Sequence, residues 1–168
     1  MEIVLDVSRS MATSPEKMLM AKQLASLFAY LSASLGSRPQ IWLAGDERPA
    51  QSLRLEALDS ANSTQFEAAG TLEDLLNDHG LPMRRQAVRV VISDFLFPHQ
   101  PDRLIRRLAG EASVLWPVQV LTQWEQNPDQ AGGTRLVDAE TGMETDLYLN
   151  DKVIAEYRAK LLALQEEL

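Results

Sequence analysis

Three side chains near the start of the sequence, Asp6, Ser8 and Ser10, carry oxygen atoms at a spacing that suits binding of a common ligand. They follow the apolar run Ile3 to Leu5 at alternate positions, so an extended loop would turn their oxygen atoms toward one point. A second aspartate, Asp94, also follows directly on an apolar run. Two carboxylates held close together repel unless a cation lies between them or one of them is protonated. The pattern therefore predicts a cation site.

The ligand types indicate which cation that site would take. Carboxylate and hydroxyl oxygens are hard ligands that suit Mg²⁺, with Mn²⁺ or Ca²⁺ as alternatives. Zinc and copper are disfavoured because the sequence has no cysteine, and its two histidines, His79 and His99, lie in no matching ligand motif. We therefore expect Mg²⁺ as the cofactor.

Along the sequence, segments with the pattern of apolar strands alternate with segments that have the pattern of amphipathic helices. Ser14 and Pro15 have the types expected at the start of a first helix, which the spacing of its apolar residues carries to Gly36. The remaining pattern predicts strands over 41–44, 52–56, 88–92 and 114–121, helices beginning near 72 and 101, a loop over 123–133, a hairpin over 134–149, and a last helix from 151. This alternation predicts a three-layer α/β fold with a mostly parallel sheet, in which the carboxyl ends of the strands form the binding crevice.

The strand-end residues of this sequence resemble those of a known protein family. Asp6, Ser8 and Ser10 behind one strand, Thr71 after Gly70, and Ser93-Asp94 behind a second strand resemble the metal-ion-dependent adhesion site of von Willebrand factor A domains. In that family the serine and threonine hydroxyls hold the metal, the aspartates act partly through water, and one coordination position is left for a partner's carboxylate. The resemblance implies five metal ligands: Asp6, Ser8, Ser10, Thr71 and Asp94. Thr64 is an alternative to Thr71.

A narrower resemblance covers essentially the whole chain. Residues 5–11, 21–22, 91–96 and 136–142, with Tyr157 on the last helix, are similar to the bacterial von Willebrand A-like family encoded beside MoxR-type AAA+ ATPases. The resemblance implies a Rossmann-like von Willebrand A fold with a mostly parallel central sheet, one antiparallel edge strand, and a C-terminal hairpin plus helix. It also implies a partner that offers a Glu or Asp, such as a MoxR-type ATPase or its client, in a chaperone-like assembly role. The ATPase would be a separate chain, because no phosphate-binding loop motif occurs here.

Length and composition limit the alternatives. A chain of 168 residues fits one domain, residues 1–168, and its net charge of −8 argues against a nucleic-acid partner. The absence of cysteine fits a reducing, cytoplasmic compartment, and no apolar run reaches the length of a membrane span. The chain begins inside an apparent strand, so either the domain starts abruptly or it is a piece of a longer protein. We expect the second, since members of the similar family commonly carry preceding membrane segments.

Two other functions compete with metal-dependent protein binding. A Mg²⁺-dependent phosphotransferase or phosphatase of the haloacid dehalogenase type also begins from a strand-end aspartate. It requires a second aspartate two residues on and paired acids after a later strand, whereas this chain has Ser8 and Phe95 at those places. The other competitor is a metal-free scaffold of the same fold. We therefore expect that the protein is not an enzyme.

Overall fold

The computed structural model describes residues 1–45, 51–53, 66–78, 80–128, 132–139 and 141–168. The strands of this part of the chain are β1 (Glu2–Asp6), β2 (Gln40–Ala44), β3 (Gln51–Leu53), β4 (Val88–Ser93), β5 (Val114–Gln119), β6 (Gly132–Val137) and β7 (Glu144–Leu149). Its α-helices are α1 (Pro15–Ser34), α2 (Leu72–Asp78), α3 (Pro101–Ala109), α4 (Gln123–Gln126) and α5 (Asp151–Glu167), and a 3-10 turn spans Arg9–Ala12.

The central sheet has the strand order β3-β2-β1-β4-β5 among the described residues. All neighbours pair in parallel except β3, which runs antiparallel to β2 at one edge. Strands β6 and β7 form a separate antiparallel hairpin that precedes α5. The predicted mostly parallel sheet, antiparallel edge strand and C-terminal hairpin plus helix are confirmed. The strand order reverses between β1 and β4, and in such sheets this switch point is where ligands bind.

Helices cover both faces of the sheet and give the predicted three layers. Alternate residues of β1 contribute to opposite cores: Ile3 and Leu5 pack on the α1 side, and Val4 packs on the side of α2 and α3. This alternation is what a buried strand requires, because successive side chains point to opposite faces. Strands β1 and β4 are therefore fixed on both sides, and so are the loops that follow them.

Helix α1 begins as its sequence predicts. The Ser14 side chain accepts a hydrogen bond from the Lys17 backbone N–H at 3.1 Å, and Pro15 occupies the first helical position. The buried residues Ala21, Ala25 and Ala29 recur every fourth position and contribute to the core on this side of the sheet. Lys17 lies one step earlier in the same series, so its side chain is directed into the protein beside β1 and β4.

The loop predicted over 123–133 contains a helical turn, α4, so that prediction was wrong for 123–126. Thr122 and Glu125 start α4 with a reciprocal capping box, a short signal that is easily missed in a polar segment.

Strand β5 lies at the sheet edge. An edge position is where a strand tolerates a residue such as Pro117, which lacks an N–H.

A buried ion pair lies at the opposite end of β1 and β4 from the switch-point crevice. The Arg89 guanidinium donates to the Glu2 carboxylate at 2.9 and 3.1 Å, and both side chains are almost fully buried. Arg89 also donates to the backbone carbonyls of Leu108 and Gly110. These bonds satisfy the guanidinium, so its burial is compatible with a stable fold.

Candidate metal centre

Asp6 and Asp94 end neighbouring strands at the switch point of the sheet. Asp6 is the last residue of β1, Asp94 follows β4 directly, and both are completely buried. The Asp6 carboxylate accepts hydrogen bonds from the Ser8 backbone N–H at 2.9 Å and from the Ser93 hydroxyl at 2.6 Å. The two strands thus hold one carboxylate each at the same end of the sheet.

The loop after β1 brings the two serine hydroxyls together. The Oγ atoms of Ser8 and Ser10 lie 3.0 Å apart, beside Asp6. The segment around Ala68 fixes the loop from outside, since its backbone bonds to Val7 at 3.2 Å and to Arg9 at 3.0 Å. Gly45 lies so close that an added Cβ would be 3.0 Å from the Ser8 nitrogen.

Asp94 is held by contacts to both of its carboxylate oxygens. Oδ1 accepts from the Leu96 backbone N–H at 3.0 Å, and Oδ2 accepts from the Lys17 ammonium at 2.9 Å. Between them, Phe95 is fully buried at a positive φ of 54°, a conformation that non-glycine residues adopt uncommonly. This turn directs the Asp94 carboxylate toward the loop that carries Ser10.

Lys17 connects three parts of the site. Besides Asp94, its ammonium donates to the Ser10 carbonyl at 3.0 Å and to Glu125 Oε1 at 2.7 Å. The Lys17 side chain has no solvent exposure. The other Glu125 oxygen accepts from the Thr122 N–H at 2.6 Å in the capping box of α4. Helices α1 and α4 are therefore joined through one buried ammonium group at the edge of the candidate centre.

The electrostatic consequence is clearest at Asp6. Burial, and to a smaller extent the neighbouring Asp94 charge, raise the pKa of Asp6 from 3.8 to about 6, against the lowering effect of the hydrogen bonds from Ser93 and Ser8. Asp94 has the Lys17 ammonium as a direct counter-charge, whereas the donors to Asp6 in the described part of the chain are the neutral groups of Ser8 and Ser93. A cation beside Asp6 would relieve this strain.

The residues present fit a magnesium ion. Asp6, Ser8, Ser10 and Asp94 offer only hard oxygens, and Mg²⁺ is commonly bound through one or two carboxylates with waters completing its shell. Among the described residues, no group of three or more His, Cys, Asp or Glu is placed to hold a metal. The candidate centre instead combines two carboxylates with two hydroxyls.

Thr71, the remaining expected ligand, has hydrogen bonds of its own. Its hydroxyl donates to the Asp74 carboxylate at 2.7 Å and accepts from the Asp74 backbone N–H at 3.2 Å, which places it as the cap of α2. The structure thus brings together four of the five expected ligands and shows Thr71 bonded to its own helix. The alternative, Thr64, lies outside the described residues.

A large cavity opens beside the candidate centre. It encloses about 980 Å³ and is bounded by Ser10 and Asp94 on one side and by the hairpin and α5 on the other. Its lining is mostly apolar, with contributions from residues such as Leu136, Leu147 and Ile154. Such a volume lies within the range of ligand pockets in proteins.

Tyr157 of α5 ties the far wall of this cavity to the site. Its hydroxyl donates to the Glu125 carbonyl. Burial raises the pKa of Tyr157, and the charges of Glu125 and Asp94 raise it further, so the phenol stays protonated and able to donate. Helix α5 is therefore linked to Glu125, the same residue that contacts Lys17.

Sequence reasoning missed Lys17 and Glu125 as parts of the site. The available signal for Lys17 was its position four residues before Ala21, on the face of α1 that the apolar spacing marks as buried. For Glu125 the signal was its spacing from Thr122, which matches a capping box. Neither signal reveals that the Lys17 ammonium contacts both Glu125 and Asp94.

Comparison with known proteins places the chain in a family without an assigned function. A family model described as "Protein of unknown function DUF58" matches residues 1–167. No curated protein matches the chain. Among solved structures, the chain is similar to an aerotolerance-related membrane protein from Bacteroides fragilis NCTC 9343 that carries multiple mutations to serines, with 17% identity and a TM-score of 0.41 over 99% of this chain and 96% of that one. No described helix of the present chain is long and apolar enough to span a membrane.

Proposed function

The chain belongs to the DUF58 family, a family of unknown function, and we propose that it is a protein-binding module. In this proposal, a Mg²⁺ ion held by the module bridges to a carboxylate of its partner. The ion would be held by Asp6, Ser8, Ser10 and Asp94, with Thr71 as the fifth ligand that the von Willebrand A resemblance implies. Mn²⁺ and Ca²⁺ are alternative occupants of such an oxygen site.

The observation that carries the proposal is the arrangement of oxygens at the switch point. The Asp6 carboxylate is buried beside Asp94 with a raised pKa, and next to it the Oγ atoms of Ser8 and Ser10 lie 3.0 Å from each other. A bound divalent ion would offset the repulsion between the carboxylates and present a coordination position to an incoming Glu or Asp. Asp94 and Ser10 also line the adjoining cavity, which gives a partner segment room to approach.

The partner follows from the family resemblance. We propose a MoxR-type AAA+ ATPase or its client, with the present chain acting in a chaperone-like assembly role and not as an enzyme. By the same resemblance, the domain works on the cytoplasmic side and belongs to a longer, membrane-anchored protein.

One observation favours a second candidate, a scaffold of this fold that works without metal. The Lys17 ammonium already places a positive charge against Asp94 at 2.9 Å. A phosphotransferase of the haloacid dehalogenase type has no such support. Phe95 is buried where that chemistry needs a second acid, and Ser8 stands where it needs the acid/base aspartate.

Magnesium binding tests the first step of the proposal. Mg²⁺ titrated into chelator-treated protein should release or absorb heat and raise the melting temperature, because a ligand that binds only the folded state stabilises it. Asp6→Ala should abolish both effects. The control Asp102→Ala, an exposed carboxylate on α3, should behave as the wild type. Absence of both effects in the wild type would exclude the metal-bridged mechanism.

Partner binding tests the second step. The immobilised domain should retain the purified MoxR-type ATPase of the same genome in Mg²⁺ and release it in chelator, and Asp6→Ala should not retain it. Equal retention by wild type and Asp6→Ala would show that the interface does not use the metal.

A further inference from the structure

We propose that Lys17 is an internal counter-cation that competes with the divalent ion for Asp94 and thereby sets the metal affinity of the site. The inference rests on the proposed function, because it concerns the same centre. It assigns a role to a residue that the ligand motif does not contain.

The hydrogen bonds of the Lys17 ammonium are complete. An ammonium group has three N–H donors. Those of Lys17 have three oxygen acceptors within 2.7–3.0 Å, on Ser10, Asp94 and Glu125. The side chain is fully buried, and a buried charge persists only when it is paired and hydrogen-bonded. All three N–H donors of Lys17 are thus satisfied by oxygen atoms inside the protein.

Lys17 and a metal ion at this centre would need the same carboxylate, that of Asp94. Lys17 contacts Asp94 Oδ2, while Oδ1 already accepts the Leu96 backbone N–H. Two cations served by one carboxylate lie within a few Å of each other. Even with the dielectric constant of water, repulsion between a divalent ion and an ammonium at that range is enough to weaken binding about tenfold.

The Lys17 ammonium has a second carboxylate, that of Glu125, toward which it can shift. Glu125 lines the cavity and also contacts the ammonium, so the lysine can leave Asp94 and keep this partner. Its stem has four rotatable methylene groups, and the head is a compact charge without a fixed geometry. Metal entry at Asp94 would then shift the lysine toward α4 and the cavity.

A purely structural ion pair is the competing explanation, and metal titration separates the two. Lys17→Gln removes the charge but keeps a donor for Asp94. The matched control is Lys22→Gln on the same helix, because Lys22 is also buried but its ammonium lies 5.4 Å from the Phe66 ring centre. Each chelator-treated protein is titrated with Mg²⁺ alone, and folding is checked by circular dichroism.

We expect Lys17→Gln to bind Mg²⁺ at least about tenfold more tightly than the wild type, and Lys22→Gln to match the wild type. Wild-type binding with unchanged or weaker affinity in Lys17→Gln would overturn the inference and leave the proposed function standing. Binding by Lys17→Gln alone would support the inference and count against metal use by the wild type. Binding by neither would overturn both.

A measurement on the wild type decides the question if Lys17→Gln fails to fold. Acetylation by an amine-reactive reagent, followed by mass spectrometry, reports the accessibility of each lysine. Saturating Mg²⁺ should increase modification of Lys17 several-fold and leave that of Lys22 and the exposed Lys152 unchanged. Equal modification of Lys17 with and without Mg²⁺ would overturn the inference.

Discussion

Replacing Asp6 with asparagine should stabilise the metal-free protein at neutral pH, although it removes a buried carboxylate from a hydrogen-bonded position. Burial and Asp94 raise the pKa of Asp6 from 3.8 to about 6. A difference of about 2 pKa units between the folded and unfolded states corresponds to about 3 kcal/mol of destabilisation once the carboxylate is ionised in both. Asparagine has the same shape and no charge, so it escapes this penalty.

Part of the gain is lost in the hydrogen bonds. The asparagine oxygen can still accept from the Ser8 N–H, but its NH₂ group then faces the Ser93 hydroxyl, which donates to Asp6 in the wild type. We therefore expect a net stabilisation of about 1–3 kcal/mol at pH 7.5, since one altered hydrogen bond is worth about 1 kcal/mol.

The pH dependence identifies the cause. A carboxyl group whose pKa is raised by folding binds its proton more tightly in the folded state, so the stability it contributes is present at low pH. That stability is lost as the pH rises from about 4 through about 6. The advantage of Asp6→Asn over the wild type should therefore be about 2 kcal/mol smaller at pH 4.5 than at pH 7.5.

Urea unfolding in the presence of EDTA measures both differences. Asp78→Asn is the matched control, because it makes the same substitution at an exposed carboxylate of α2. An Asp6→Asn protein that is less stable than the wild type at pH 7.5, or an advantage that does not shrink on acidification, would refute the reasoning.

Two further predictions concern stability away from the candidate centre. Arg89→Met should destabilise the fold by about 3–5 kcal/mol in urea unfolding, because it leaves the Glu2 carboxylate buried without its partner. The control Arg85→Met, at an exposed ion pair, should change stability by less than about 1 kcal/mol, and a similar loss in both variants would contradict the importance of the buried pair. Gln86→Gly should raise the free energy of unfolding by about 0.5–1 kcal/mol, because Gln86 is exposed at a φ of 55° that glycine adopts without strain. A lowered melting temperature in calorimetry would contradict this.

Much of the fold could be predicted from local sequence patterns. The apolar run over 88–92 and the cap at Ser14-Pro15 each depend on neighbouring residues, and both elements form where predicted. The helical turn over 123–126 was missed because a four-residue helix has no apolar period, only a capping box. The von Willebrand A metal site and the MoxR partnership stay predictions, which the magnesium and ATPase experiments address.

Residue order was enough to predict that Asp6, Ser8, Ser10 and Asp94 follow strand ends at one edge of a parallel sheet. Strand periodicity and the alternation of strands with helices are visible in the local sequence, so this prediction needs no knowledge of distant contacts. The contacts of Lys17 with Asp94 and Glu125, residues 77 and 108 positions away, arise only when the chain is folded. A lysine near a helix start is ordinarily solvated, and its pairing here depends on how α1 and α4 pack around the end of β4. The charge balance of the centre is therefore a property of that packing.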